Sequence, residues 1–189
     1  MHPHTKRNAL LAFMLMVAFV LACSSLGNET EKANKLVDEG NALVEEGNKL
    51  GQDAAAKNKE LFDNIEDFPS NREDLKKPAK ELSDIIDKGT EKFRDAAKKF
   101  DEASKLKLDD KFKEYLSLKS QEFNKHADHI EALKGIPNAV MDESVKDLRA
   151  LNTKITAVNQ QVEKVGKEWK DLEAKADKVR EENKDKFKK

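Results

Sequence analysis

Apolar residues recur at three- and four-residue steps through most of the chain, the spacing that aligns one face of an α-helix, and no strand-like alternation interrupts it beyond residue 28. Three clusters of turn-forming residues divide this pattern: Phe68-Pro69-Ser70-Asn71, Leu106-Lys107-Leu108-Asp109-Asp110 and Lys134-Gly135-Ile136-Pro137-Asn138. Four helical segments result, and four amphipathic helices joined by short connections predict an all-α, elongated antiparallel bundle over residues 29–189 with coiled-coil-like packing.

The first segment, Glu29 to Asp67, carries an internal heptad echo. Residues 34–40 read NKLVDEG, residues 41–47 read NALVEEG, and NKLGQDA follows. A seven-residue period spans two helical turns, so it holds one stripe on one face. The stripe runs through Ala33, Val37, Gly40, Val44, Gly47, Gly51, Ala54, Leu61, Ile65 and Phe68, widened by Leu36, Leu43 and Leu50. Glycine inside a helix costs about 1 kcal/mol relative to alanine, so three on one stripe require a reason. Folding the first two segments into an antiparallel hairpin about Pro69 brings Gly47 and Gly40 near the levels of Phe93 and Phe100. The rings are therefore expected over the glycines.

The second segment opens with Ser70 three residues before Glu73, the spacing of a capping box, and Pro78 is expected to kink or restart the helix. Its stripe is Leu82, Ile86, Gly89, Phe93, Ala96, Phe100 and Ala103. The third, Asp109 to Lys134, has Asp109 as predicted N-cap and Gly135 as predicted stop. The fourth is expected as one helix from Asn138 to Lys186, with a stripe stepping from Val145 through Leu151, Val158, Val165 and Leu172 to Val179. Were the second and third segments one continuous rod, the bundle would have three helices; the Leu108-Asp109-Asp110 break favours four.

Composition changes the picture mainly at the amino terminus. With 36 basic and 37 acidic side chains, the chain is no strongly basic nucleic-acid binder, and one cysteine excludes an internal disulfide framework. Lys6 and Arg7 precede an unbroken apolar run from Ala9 to Leu21. That run is shorter than the roughly 20 residues of a membrane span and has the form of a secretory signal. It ends in Val20-Leu21-Ala22-Cys23, which resembles the lipobox of bacterial lipoproteins. The resemblance implies cleavage of residues 1–22, diacylglycerol on the Cys23 thiol, acylation such as palmitoylation of the new amino group, and a short linker over residues 23–28. Ser24, rather than Asp, is the kind of residue expected for outer-membrane sorting in diderm hosts. Loss of Lys6 and Arg7 with no acid moves the net charge from −1 to −3.

Candidate chemistry is sparse. Glu122, His126 and His129 fall at i, i+4 and i+7 on one helical face, a weak candidate for a divalent metal site; the ordinary reading is boundary histidines bonded to a neighbouring helix. The serines lie in lysine- and acid-rich helical text without a strained turn, and no glycine-rich phosphate loop appears, so neither an enzyme nor a cofactor is expected. The carboxy terminus is basic: Lys184, Lys186, Lys188 and Lys189 surround Phe187. In a four-helix up-down bundle tethered at Cys23, these lysines return to the membrane and become candidates for membrane or envelope contact.

The sequence therefore predicts a lipid-anchored helical bundle facing the periplasm, probed by partners rather than substrates. It would act as an envelope scaffold or interaction module, binding an envelope protein or a second copy of itself, with no nucleic acid involved. The alternative is lipid or hydrophobic-ligand binding by amphipathic helices that open, as exchangeable apolipoproteins do.

Overall fold

The computed structural model describes residues 27–187. It contains α1 (Gly27–Asp63), α2 (Arg72–Ser104), α3 (Asp110–Ala132), α4 (Gly135–Met141) and α5 (Leu148–Glu182), followed by a 3-10 turn (Lys184–Lys186). Cys23 and the expected leader over residues 1–22, and Lys188 and Lys189, lie outside the described residues. The four long helices run alternately up and down, α1 against α2, α2 against α3 and α3 against α5, while the short α4 wedges between α2 and α5. This is the expected four-helix bundle.

Register between α1 and α2 is set by volume exchange. A Cβ on Gly40 would lie 2.7 Å from the Phe100 ring, and one on Gly47 would lie 2.7 Å from the Phe93 ring. Both rings are almost fully buried, so the two glycines are the space they occupy. The exchange runs in both directions, because α2 leaves a small residue where α1 supplies a leucine: Leu50 Cβ stands 3.7 Å from the position of a Cβ on Gly89. One and two heptads further, the same register places Leu43 at the level of Ala96 and Leu36 at that of Ala103. Ion pairs Lys92–Glu46 (2.6 Å), Lys99–Glu39 (2.7 Å) and Lys57–Glu81 (3.0 Å) follow the alignment. As exposed pairs they contribute little stability. Gly51 is different: it is exposed, and a Cβ there would meet nothing within 4 Å.

Several boundaries differ from the sequence reading. α1 is already helical at Gly27 and ends at Asp63, so Ile65 and Phe68 sit in the turn rather than on the helix, although Phe68 remains buried. The Ser70–Glu73 capping box does not form. The chain is still turning there, with the Arg72 amide on the Pro69 carbonyl; the N-cap is Asn71, whose Nδ2 donates to the Asn64 carbonyl at 2.6 Å and not to its own helix. α2 passes through Pro78 without a break. The carbonyl that loses its amide partner belongs to Asp74, an exposed residue one turn from the helix start.

Asp109 caps α3 as predicted, accepting from the Lys111 amide at 2.8 Å. Gly135, however, is not a terminal stop: it opens α4. A Cβ there would lie far inside contact distance of Val158 Cγ2, so this glycine lets α4 approach α5 closely. The predicted fourth helix is two elements. Asp142 adopts extended backbone and accepts from the Ser144 amide at 2.8 Å, and Asp147 caps α5 by accepting from the Ala150 amide at 2.7 Å. These two local bonds compete with helix and interrupt it. Val145, buried in the interruption, offers its carbonyl to Arg72 Nη2, whose guanidinium stacks 4.7 Å over the Phe68 ring. That contact ties the α1–α2 turn to the α4–α5 connection. α5 itself has 35 residues, about 52 Å at 1.5 Å per residue.

The core forms two clusters that meet at Ile130. One, around Phe93, Phe100, Phe112, Tyr115 and Phe123, fills the half nearest Gly27; the other, around Leu61, Leu82, Ile86, Val140 and Leu151, fills the opposite half.

The packing sorts the glycines by substitution. Gly40→Leu or Gly47→Leu should lower stability by about 1–3 kcal/mol through overpacking, whereas Gly51→Ala should raise it by about 0.5–1 kcal/mol through helix propensity. Urea unfolding followed by circular dichroism measures all three. Equal effects at the three sites would contradict the interlock.

Candidate functional site

Glu122, His126 and His129 share the inner side of α3, but the bundle gives each a separate partner. The His126 ring is sandwiched between α2 and α5, stacked on Trp169 with centroids 3.9 Å apart and planes 9° apart, and 4.1 Å from the Phe93 ring. His129 Nδ1 donates to the Val162 carbonyl at 3.0 Å, and its ring occupies the space beside Gly166, where a Cβ would lie 3.1 Å away. Glu122 is buried and receives Lys119 Nζ on both oxygens, at 2.8 and 2.7 Å. Among the described residues, no group of three or more His, Cys, Asp or Glu is arranged to hold a metal ion. The face is a helix–helix seam.

Its electrostatics follow from burial. Loss of water pushes the His126 pKa down to about 3, with the neighbouring His129 and Lys119 adding to the depression. Burial also lowers His129, partly opposed by its bond to Val162. Burial raises the carboxyl of Glu122 above its ordinary range, with Lys119 pulling the other way. Trp169 Nε1 is buried in this seam without a hydrogen-bond partner among the described residues. The spacing of the two histidines was visible in the sequence, but that His126 stacks on Trp169 was not. Gly166 went unread because it lies beside the α5 stripe rather than on it.

The carboxy-terminal lysines occupy a different place. Lys186 Nζ reaches the Asp109 carboxylate at 3.2 Å, and Lys184 pairs with Glu181. Phe187 lies edge-on to Phe112 and Tyr115, at 5.7 and 5.4 Å between centroids. The Lys107 amide donates to Glu29 Oε2 at 3.4 Å across the same end of the bundle. The start of α1, the α2–α3 turn and the carboxy-terminal segment therefore gather at one end. The break at Leu108-Asp109 makes this so, since a continuous rod would have sent the tail to the other end. Among the described residues, no helix is long and apolar enough to cross a membrane.

No family model, curated protein or solved structure matches the chain.

The seam predicts an acid dependence. A histidine with a depressed folded pKa binds its proton more readily in the unfolded chain. Its contribution to stability is thus intact above about pH 6.5 and falls as pH drops below that value toward the folded pKa, at up to about 1.4 kcal/mol per pH unit per residue. Glu122 acts in the opposite sense, because its raised carboxyl takes up a proton on folding as pH falls toward its unfolded value. Wild type should lose stability between pH 7 and pH 5 in urea unfolding read by Trp169 fluorescence, and His126→Gln, less stable at pH 7, should show a shallower loss. Parallel pH profiles would remove His126 from this account.

Proposed function

We propose that this chain is a non-enzymatic, lipid-anchored scaffold of the bacterial envelope, held through Cys23 with its bundle on the periplasmic side of the outer membrane. The lipobox-like Val20-Leu21-Ala22-Cys23 supplies the anchor in this reading. Two or three acyl chains, at about 0.8 kcal/mol per buried CH₂, hold a protein far more firmly than one. The observation that carries the reading is the gathering at one end of the bundle of the α1 start, four residues after Cys23, with Lys107, Lys184 and Lys186. A tether at Cys23 would bring these cations to the headgroups, together with Lys188 and Lys189, which follow in the sequence. On an anionic surface each lysine contributes up to about 1 kcal/mol. The long helices then stand away from the bilayer and present charged faces to an envelope partner.

Lipid or hydrophobic-ligand handling is the competing reading, and it requires helices that open. Stripe width separates the two readings: the narrow stripe of α5 suits a seam, while the α1 stripe widened by Leu36, Leu43 and Leu50 is less decisive. Leu50 of that stripe packs on α2 at Gly89, and opening would also have to withdraw Phe100 and Phe93 from Gly40 and Gly47. The cost of separating this interlock supports a closed scaffold.

Cell fractionation should find the wild-type chain with membranes and Cys23→Ala in the soluble fraction. In liposome flotation the Cys23→Ala chain should stay at the bottom of the gradient with anionic vesicles at physiological salt. Flotation without the acyl chains, accompanied by a shift in Trp169 emission, would favour the lipid-handling reading instead.

A further inference from the structure

The outer face of α5 changes character along its length. In a chain whose surface is densely charged, residues 150–162 contain a single charged side chain, Lys154, which is turned onto Asp142, and the exposed Arg149, one turn before Thr153 on the same face, bounds the stretch at this end. Asn152, Thr153, Thr156, Ala157, Asn159 and Gln160 are all exposed here. The two threonine hydroxyls are spent on their own helix, Thr153 donating to the Arg149 carbonyl at 3.0 Å and Thr156 to the Asn152 carbonyl at 2.8 Å. Their methyl groups, with Ala157, are left as the outward surface between the amides. Toward the other end of α5 the outer face becomes ordinary again, with exposed Lys164, Lys167, Asp171 and Lys178.

We propose that this neutral face pairs with the same face of a second copy of the chain, α5 beside α5 in parallel. In a two-fold pairing about an axis along the helices, each residue near the axis meets its own copy. A charged residue there faces an identical charge, which is destabilising. A primary amide, carrying both donors and an acceptor, can satisfy its own copy. Small side chains let the two backbones approach. The stretch over residues 150–162, whose one charge is paired with Asp142, therefore suits a second copy, whereas a partner of fixed charge would be served better by the other helix faces. The parallel sense rests on the scaffold reading above: chains tethered at one end share an orientation, and the tether raises their effective concentration. The paired turns lie roughly 40 Å along α5 from the tethered end, at 1.5 Å per residue, clear of the bilayer. Three turns of contact make a small interface of the transient class.

Oxidative cross-linking of the full chain in native membranes tests this. Thr153→Cys and Gln160→Cys, each alone, should give a disulfide dimer on mild oxidation, while Asp38→Cys on the outer face of α1 should not. Adding Thr156→Lys to the Gln160→Cys chain should abolish the dimer at least tenfold, and coexpression with the Thr156→Glu counterpart should restore it. No dimer from either α5 cysteine, or an equal yield from Asp38→Cys, overturns the pairing. A dimer formed only between Thr153→Cys and Gln160→Cys chains overturns its parallel sense. The chain without added cysteine serves as the independent check on the anchor: a dimer there reveals a free Cys23 thiol and overturns the lipid-anchored reading, not the α5 pairing.

Discussion

The fit of two phenylalanines into two glycine notches is the contact on which the rest of the bundle depends. Gly47 receives Phe93, Phe93 touches His126, and His126 stacks on Trp169, so one transverse layer links α1, α2, α3 and α5. One heptad away, Gly40 receives Phe100, which lies 5.1 Å from Phe123 of α3. A chain with only 6% aromatic residues has few large side chains to place in its core. Concentrating them in these layers lets long, thin, highly charged helices keep a defined register, because a shift by one turn would drive a ring into a Cβ.

Charge plays a different part. The many surface ion pairs join neighbouring residues of one helix or cross between adjacent helices at exposed positions, where their net contribution is small. They keep a densely charged surface locally neutral. The polar groups with structural consequence are the buried or capping ones: Glu122 with Lys119, His129 with the Val162 carbonyl, Asp109 and Asp147 at helix starts. Against this background the uncharged face of α5 stands out as the place where the rule of alternating charge is suspended.

Much of the architecture was legible in the sequence. The heptad echo around Gly40 and Gly47, counted against Phe93 and Phe100, predicted their contacts, because a heptad repeat on both helices leaves one compact alignment. The Asp109 cap was equally readable. What escaped was short-range competition inside a strongly periodic pattern. Val145 keeps the apolar rhythm of α5, so the stripe runs on through residues 142–147, while Asp142 and Asp147 break the helix with side-chain bonds to their own backbone. Ser70 with Glu73 satisfied the spacing of a capping box, but the turn after Pro69 moved the helix start beyond it. Gly135 read as a stop because glycine commonly is one; its close approach to Val158 depends on a helix distant in sequence.

For the candidate site the division is similar. The sequence by itself determined that the chain beyond residue 28 is helical, that Glu122, His126 and His129 share a face, and that the last residues are basic, since each of these is a matter of local spacing and composition. Only the tertiary structure decided that the three side chains go to three different partners, and that Lys184 and Lys186 lie at the same end of the bundle as the start of α1. Those outcomes depend on which helices become neighbours and in which direction they run, and that is set by how ring and glycine volumes interlock across elements far apart in the chain.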